Sequence, residues 1–454
     1  MTRSLLAVTH RGRLRALAAF VVAAGMLAIF AVASASARAP AVFSVPGAAG
    51  AGPARYDRVL VERFGPASAR TVLVLVPGSG SGAGAFGFVG RDLARRVPGL
   101  QVWAVERREH AFEDTSVIGR GDPDQSLAYY LQGQPVDGHT FQPPPSSEVG
   151  YMARWGLGLL LGDLRRVIGK ARAEGRRVIL GGHSLGASAA EAYASWDFDG
   201  RPGHRDLAGL LLIDGGLDGR REQPTLAQAR AQLRDFETAP RFDPFNQRAP
   251  WVYGAASAIA GLYAQRQPQS RSPLDAVALV PAAVKPPFAS TNETWLGWVR
   301  SLLYPAQGAA AGHAGHPAAT GDPRAWVDGD ITPIARMARW LAQAPINTVD
   351  WYVPRRLLLD VQAADPLRPT RLTRLLHLRL EHRRTIHLPL YAFQTSNTAP
   401  HVLRAARRLA RTSRIGSPTL ATDLTMIHSD PLTALPARNS FLRTVTPFLK
   451  HLTQ

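Results

Sequence analysis

Short apolar runs alternate with segments of helical spacing through the first half of the chain. Strands are predicted at residues 58–64, 71–76, 100–105, 177–181 and 207–213, and helices at 88–97, 151–174 and 184–196. Residues 39–54 and 121–147 are rich in proline and glycine and are predicted to be a linker and a loop. Short apolar strands that alternate with helices are typical of a parallel sheet with helices on both faces. We therefore expect an α/β fold with a mostly parallel central sheet.

The alternation stops near residue 223 and returns near residue 367. In between, the apolar residues have helical spacing at 226–237, 253–265, 293–303 and 334–344. This region is long enough to bury a core of its own, so it predicts an inserted helical cap. Beyond it, strands are predicted at 385–394 and 419–426, and helices at 400–412 and 437–451. The core is thus predicted in two parts, 38–222 and 367–454, separated by the cap at 223–366.

The first 37 residues have the pattern of an export signal. Arginines at positions 3, 11, 13 and 15 precede an apolar run at 16–33, and small residues at 33–37 offer cleavage sites. The run approaches the length of a membrane span, so an uncleaved anchor is the alternative. In either case we expect the rest of the chain outside the cytoplasm, either secreted or held at a membrane through this segment alone.

Composition narrows the classes of partner. The net charge of +19 would suit nucleic-acid binding, but the arginines are spread along the chain and no recognition motif accompanies them. We therefore expect no nucleic-acid partner. The chain has no cysteine, which excludes disulfides, a thiol nucleophile and thiolate metal ligands. His313 and His316 are close in sequence but lack a third ligand nearby, so no metal is expected.

The sequence around Ser184 has the pattern G-x-S-x-G, with glycines at 182 and 186. The pattern falls between a predicted strand and a predicted helix, where a sharp turn forces the serine into a strained backbone conformation. Larger side chains two residues before and after it would collide, which explains the glycines. An ordinary tight turn is the alternative, but the strand–turn–helix position favours a nucleophile.

A nucleophilic serine of this kind needs two backbone donors for the oxyanion of the intermediate. The N–H of Leu185, directly after the serine, is one candidate. The glycine-rich sequence P-G-S-G-S-G-A-G follows the strand at 71–76, and the N–H of Ser79 within it is the second. This loop lacks the Lys-Ser/Thr of a phosphate-binding loop and does not match the dinucleotide motif, so no cofactor is expected. His428 follows the last predicted strand and opens a loop, where it could act as the base; a buried structural histidine is the alternative.

Taken together, these motifs resemble those of the α/β-hydrolase family in their order along the chain. The resemblance covers most of the chain outside the N-terminal segment and the cap. It implies a mostly parallel eight-stranded sheet and a Ser–His–acid triad, with Ser184 as the nucleophile and His428 as the base. In most of the family the acid follows the penultimate strand, but here that strand ends A-F-Q-T-S-N without a carboxylate.

The acid is therefore assigned by a rarer family pattern. Some lipase-like members carry it one strand earlier, and in this chain that strand ends L-L-I-D-G-G, which makes Asp214 the candidate. The alternatives are Asp218, Asn397, or a purely turn-capping Asp214. The resemblance implies hydrolysis of a carboxylic ester through an acyl-enzyme, on a small-molecule or lipid substrate. A peptidase, a thioesterase, an acyltransferase and a catalytically silent binding protein remain as alternatives.

Overall fold

An eight-stranded sheet lies at the centre of the protein, as a computed structural model shows. The structure describes residues 41–238, 242, 249–303 and 331–454. The predicted export signal, and His313 and His316 of the predicted cap, lie outside these residues. The strands are β1 (Ala41–Pro46), β2 (Arg58–Phe64), β3 (Thr71–Val76), β4 (Leu100–Val105), β5 (Arg177–His183), β6 (Asp197–Phe198), β7 (Arg201–Pro202), β8 (Gly209–Ile213), β9 (Leu390–Thr395) and β10 (Thr419–Asp423).

The order of the strands across the sheet is β1-β2-β4-β3-β5-β8-β9-β10, and β6 and β7 form a separate hairpin. Strand β2 pairs antiparallel with β4, whereas every pairing from β4 to β10 is parallel. Strands β1 and β2 therefore lie at one edge of the sheet, β3 to β5 in the middle, and β8 to β10 towards the other edge. Strands β3, β5, β8, β9 and β10 all finish at the same end of the sheet, its carboxyl end. This is where α/β proteins place their binding and active sites.

Helices cover both faces of this sheet. Those of eight residues or more are α1 (Gly87–Arg96), α2 (Leu157–Ala173), α3 (Leu185–Ser195), α4 (Leu226–Thr238), α5 (Val252–Arg266), α6 (Asn292–Leu303), α7 (Ile334–Leu341), α8 (Arg355–Ala364), α9 (His401–Arg411) and α10 (Ser440–Thr453). Shorter helices are Pro123–Ser126, Arg371–Leu375 and Asp430–Thr433. Within the described ranges, we find no helix with the length and apolar character needed to cross a membrane.

Strand β3 shows how the two apolar cores form. All six of its residues are buried, because a central parallel strand has helices on both faces. Leu73 and Leu75 pack into one core with α1, α10 and the cap helices α5 and α7. Val72, Val74 and Val76 pack into the other core with α2, α3, α8 and α9. The predicted cap segment thus supplies helices to both cores, and its boundaries at 223 and 366 stay a prediction.

Two predicted elements are wrong in a way that has a physical cause. The predicted linker at 39–54 contains β1, an edge strand that pairs with β2. The predicted helix at 151–174 is broken at Gly156, and α2 begins only at Leu157. Asp360, far along the chain, accepts a hydrogen bond from the backbone N–H of Leu157 at 2.9 Å. A Cβ at residue 156 would lie 2.0 Å from Oδ2 of that carboxylate, so any larger residue there would displace the Asp360 side chain.

Candidate active site

Ser184 lies in the sharp turn between β5 and α3. Its backbone has φ 54° and ψ −120°, a conformation that costs an L-residue on the order of 1–3 kcal/mol. A Cβ on Gly182 would lie 2.1 Å from the carbonyl carbon of Gly186, and one on Gly186 would lie 1.9 Å from the carbonyl oxygen of Val76. The two glycines of the motif are therefore required by close backbone approach, and the turn has the geometry of a nucleophile elbow.

Both predicted oxyanion donors lie beside this serine. Leu185 is the first residue of α3, so its N–H belongs to the first turn, where backbone donors lack an intrahelical acceptor. The loop after β3 comes so close that a Cβ on Gly78 would lie 3.0 Å from the Cβ of Ser184. Ser79 lines the same cavity as Ser184. The structure brings these residues together, and their part in binding an oxyanion stays a prediction.

A buried arginine, which the sequence analysis did not single out, holds the loop that contains Ser79. Arg107 donates hydrogen bonds to the carbonyl oxygens of Gly78 at 2.9 Å and of Ser81 at 3.2 Å. It also pairs with the carboxylates of Asp350 and Glu109. Because two loop carbonyls are bound to one buried guanidinium, the conformation of the loop beside the nucleophile depends on Arg107. The available signal was its position two residues after the end of the buried strand β4.

His428 and Asp214 form a hydrogen-bonded pair at the same edge of the sheet. The Nδ1 atom of His428 lies 2.6 Å from the Oδ2 atom of Asp214. Asp214 comes directly after β8, and His428 comes from the loop after β10. His428 also lines the cavity that contains Ser184. Because a carboxylate can only accept a hydrogen bond, Nδ1 is the protonated ring nitrogen that donates it, and Nε2 remains as the atom that can act as a base.

Two threonines, one at the end of β9 and one just after it, donate further hydrogen bonds to the Asp214 carboxylate. Thr395 donates to it from its backbone N–H and from its hydroxyl, both at 2.6 Å, and the hydroxyl of Thr398 donates as well. Burial acts to raise the pKa of Asp214, but the hydrogen bonds from His428 and the threonines outweigh it and hold the pKa below its usual value. Asp214 is therefore a carboxylate at neutral pH, which suits a partner of an imidazolium.

The two alternative acids take other positions. Asp218 pairs with Arg404 and with the ring of His401, and these partners lower its pKa to about 2 even though burial acts to raise it. Asn397 accepts a hydrogen bond from the backbone N–H of His428 at 2.8 Å, so it contacts the main chain of that histidine. Of the three sequence candidates, Asp214 is the one that contacts Nδ1 of the imidazole.

A second histidine, His183, contacts the predicted base and was missed by the sequence analysis. It directly precedes Ser184, and its Nε2 lies 2.8 Å from the carbonyl oxygen of His428, to which it donates. The two rings have centroids 4.4 Å apart. Burial, together with the nearby His428, lowers the pKa of His183 to about 3. His183 is therefore neutral, and it holds the backbone of the loop that contains His428.

Glu191 on α3 gives the first testable prediction, because it is a fully buried carboxyl group. Its Oε2 accepts a hydrogen bond from the backbone N–H of Leu217. Burial raises the pKa of Glu191 to about 8. As the pH rises from about 4.5 to about 8, the unfolded chain loses this proton while the folded protein keeps it. The free energy of unfolding should therefore fall across this window.

Glu191→Gln should abolish this fall in the free energy of unfolding with pH, because glutamine cannot ionise. Its side-chain oxygen still offers an acceptor for the N–H of Leu217. We expect the variant to be more stable than the wild type by a few kcal/mol at pH 8, with the difference shrinking towards pH 5. Urea unfolding at several pH values measures this. Parallel pH profiles for the two proteins would show that Glu191 titrates normally.

Ser184 and His428 border two cavities. The first, of about 230 Å³, contains residues 78–81 and the apolar side chains Phe242, Pro250, Tyr253, Trp351 and Val353. The second, of about 340 Å³, lies along Asp214, and its other lining residues include Asp218, Arg221, Asn397, Thr398 and His401. Among the described residues, no group of three or more histidine, aspartate or glutamate side chains could hold a metal ion.

Comparisons with known proteins agree with this architecture. No protein-family model matches the sequence, and neither does any curated protein sequence. Among solved structures, a putative lipase from Sulfolobus solfataricus is 16% identical, with a TM-score of 0.51 over 90% of this chain and 93% of that one. A monoglyceride lipase from Saccharomyces cerevisiae is 12% identical, with a TM-score of 0.42 over 91% and 95%. An esterase from Thermogutta terrifontis is also 12% identical, with a TM-score of 0.39 over 91% and 100%.

The strand order, the parallel pairings from β4 to β10 and the similarity to the Sulfolobus structure define the class of protein. The protein has the α/β-hydrolase fold, with helices on both faces of a mostly parallel eight-stranded sheet. The fold predicted from the sequence is thereby confirmed.

Proposed function

We propose that the protein is an exported serine hydrolase that cleaves a carboxylic ester through an acyl-enzyme on Ser184. His428 is the general base and Asp214 the acid, and the N–H groups of Ser79 and Leu185 bind the oxyanion. One observation carries this proposal above the others: the imidazole of His428 is held at 2.6 Å by a buried Asp214 and borders one cavity with a strained Ser184. Three groups far apart in sequence are brought to one site, which supports a role for them as a serine–histidine–aspartate triad.

The proposed reaction has two halves. Nε2 of His428 takes the proton of the Ser184 hydroxyl as Oγ attacks the ester carbonyl, and Asp214 stabilises the imidazolium that forms. The carbonyl oxygen becomes an oxyanion beside the N–H groups of Leu185 and Ser79. His428 then gives its proton to the leaving alcohol, which leaves an acyl group on Ser184. A water molecule, activated by His428, repeats the sequence and releases the acid.

The lining of the first cavity supports an ester with an apolar acyl part. Phe242, Tyr253, Trp351 and Val353 lie opposite the glycine-rich loop, so an acyl chain there would be buried among apolar groups. Similar solved structures are described as lipases and esterases, which supports the same reaction class. Export, by secretion or with the N-terminal segment as an anchor, is proposed from the first 37 residues of the sequence alone.

The test is turnover of a matched ester and amide by the purified protein. We expect p-nitrophenyl butyrate to be hydrolysed with a burst of p-nitrophenol, because acylation precedes a slower deacylation. The corresponding butyryl p-nitroanilide should be a much poorer substrate. Preferential cleavage of the anilide would favour a peptidase, and no turnover of either compound would favour a silent binding protein.

A further inference from the structure

The second cavity differs from the first in its chemistry. It shares Ser184 and His428 with the first cavity, but its other lining residues include Arg221, Asn397 and His401. The glycine-rich loop at 78–81 contributes to the first cavity and is not among the residues that line the second. The two cavities therefore offer an ester two different surroundings on either side of the nucleophile.

The carboxyl groups near this cavity are already engaged or neutral. Asp214 is held by His428 and two threonines. Asp218 pairs with Arg404 and His401. Glu191, behind Gly216, keeps its proton at neutral pH because burial raises its pKa to about 8. A ligand in this cavity consequently meets carboxyl groups that already have hydrogen-bond or ion-pair partners.

Arg221 supplies the positive charge of the cavity. Its side chain is 47% exposed, and its guanidinium donates to the carbonyl oxygen of Gly216 at 3.3 Å. The nearest carboxylate, that of Asp365, lies 3.9 Å from its Nε. That carboxylate also accepts a hydrogen bond from the backbone N–H of Arg221. The guanidinium thus keeps an accessible surface at the site instead of being enclosed by an ion pair.

Further arginines extend the positive charge beyond Arg221. Arg408 lies against Gly219, because a Cβ on that glycine would come within 2.1 Å of its Nη1. Arg408 and Arg383 both donate to the carbonyl oxygen of Pro366. Burial lowers the pKa of Arg383, and the charges of Arg408, Arg368 and Arg384 lower it further, so these guanidinium groups lie near one another. Arg408 thus adds positive charge next to residues 216–221, several of which line the second cavity, and this favours an anionic ligand there.

We propose that the second cavity binds an anionic group, a carboxylate or a phosphate, on the alcohol part of the substrate, with Arg221 as the main ligand. The proposal rests on the proposed ester hydrolysis. The leaving alcohol must receive its proton from His428, and the second cavity lies along the Asp214–His428 pair. The acyl part then occupies the apolar first cavity, next to the loop that carries Ser79.

The experiment compares matched esters that differ in one charge. 4-(Butyryloxy)benzoate releases an anionic alcohol, and 4-(butyryloxy)benzamide releases a neutral one of similar shape. We expect the ratio of their kcat/KM values, anionic over neutral, to fall about five-fold in Arg221→Gln. A change of this size corresponds to the loss of one partly exposed ion pair. The fall should reside in KM for the anionic ester. Arg221→Lys, which keeps the charge, should recover most of the ratio.

Arg177→Gln is the matched control. Arg177 is an exposed arginine at the start of β5, so it lies at the end of that strand opposite to Ser184. It should leave the ratio unchanged. Raising the salt concentration to about 1 M, where the Debye length is about 3 Å, should lower the wild-type ratio. The butyryl ester of 4-hydroxyphenyl phosphate shows whether a phosphate or a carboxylate is preferred. If neither anionic ester has a higher kcat/KM than the neutral ester, the proposal is overturned.

The assignment of the anion to the alcohol side has its own test. p-Nitrophenyl hemiglutarate carries its charge on the acyl part, and p-nitrophenyl butyrate is its neutral counterpart. If Arg221→Gln lowers this second ratio and not the first, the alcohol-side assignment is wrong. Equal ratios in the wild type and Arg221→Gln would overturn the anion site while leaving ester hydrolysis intact. Absence of turnover for every ester would overturn both.

Discussion

Ser184→Ala is expected to lower kcat for ester hydrolysis by about 10⁶-fold, since loss of the nucleophile in a serine triad removes nearly all of its catalytic contribution. The fold should remain, because alanine takes the place of a residue whose side chain makes no cap hydrogen bond to α3. Steady-state kinetics with p-nitrophenyl butyrate, together with circular dichroism, measures both properties.

Ser188→Ala is the matched control for this prediction. Ser188 is a buried serine one turn further along α3, and its hydroxyl has no hydrogen-bond partner among the described residues. The same chemical change there should leave kcat close to that of the wild type. If Ser184→Ala keeps a rate comparable with that of Ser188→Ala, another residue is the nucleophile.

Asp214→Asn is expected to lower kcat by about 10⁴-fold, and the structure explains why through the hydrogen bonds around the carboxylate. The backbone N–H of Thr395 donates to Oδ1 of Asp214, so an asparagine would keep its oxygen there. Its amide NH₂ would then face Nδ1 of His428. The imidazole would carry its proton on Nε2, the wrong tautomer for accepting the proton of Ser184.

Asp423→Asn provides the comparison, because Asp423 also ends a strand, β10, and binds the hydroxyl groups of Ser440 and Thr425. Its activity should stay near that of the wild type. The rate of Asp214→Asn, followed as a function of pH with the same ester, measures the predicted loss. Full activity in Asp214→Asn would show that Asp214 caps a turn, the alternative that the sequence left open.

Local pattern was enough to predict most of the fold. Strands β2, β3 and β4 have the bounds expected from the sequence. Strands β3 and β4 are apolar runs that are buried throughout, as expected for strands of a sheet covered on both faces. The failures depend on distant contacts. Strand β1 is short and Pro/Gly-flanked, and it exists because β2 offers an edge with which to pair. The break before α2 depends on Asp360, which lies 203 residues from Leu157.

The site likewise contains features that depend on local sequence and features that depend on distant contacts. Ser184 could be located from its motif, because the glycines at 182 and 186 are dictated by backbone contacts within the turn and with the adjacent β3. For the triad acid, the sequence offered three candidates, Asp214, Asp218 and Asn397. A choice among them requires knowing which side chain reaches His428. The supporting residues could not be predicted. Thr395 and Arg107 act through hydrogen bonds to residues distant in sequence, and neither belongs to a motif.

The most direct test of the central claim is to identify the residue that a fluorophosphonate modifies. The phosphorus is attacked by an activated serine hydroxyl with loss of fluoride, so modification requires the base as well as the nucleophile. Labelling of the folded wild-type protein, followed by peptide mapping with mass spectrometry, is predicted to give a single adduct on Ser184 that His428→Ala strongly suppresses. The absence of an adduct, or an adduct on another residue, would contradict the account.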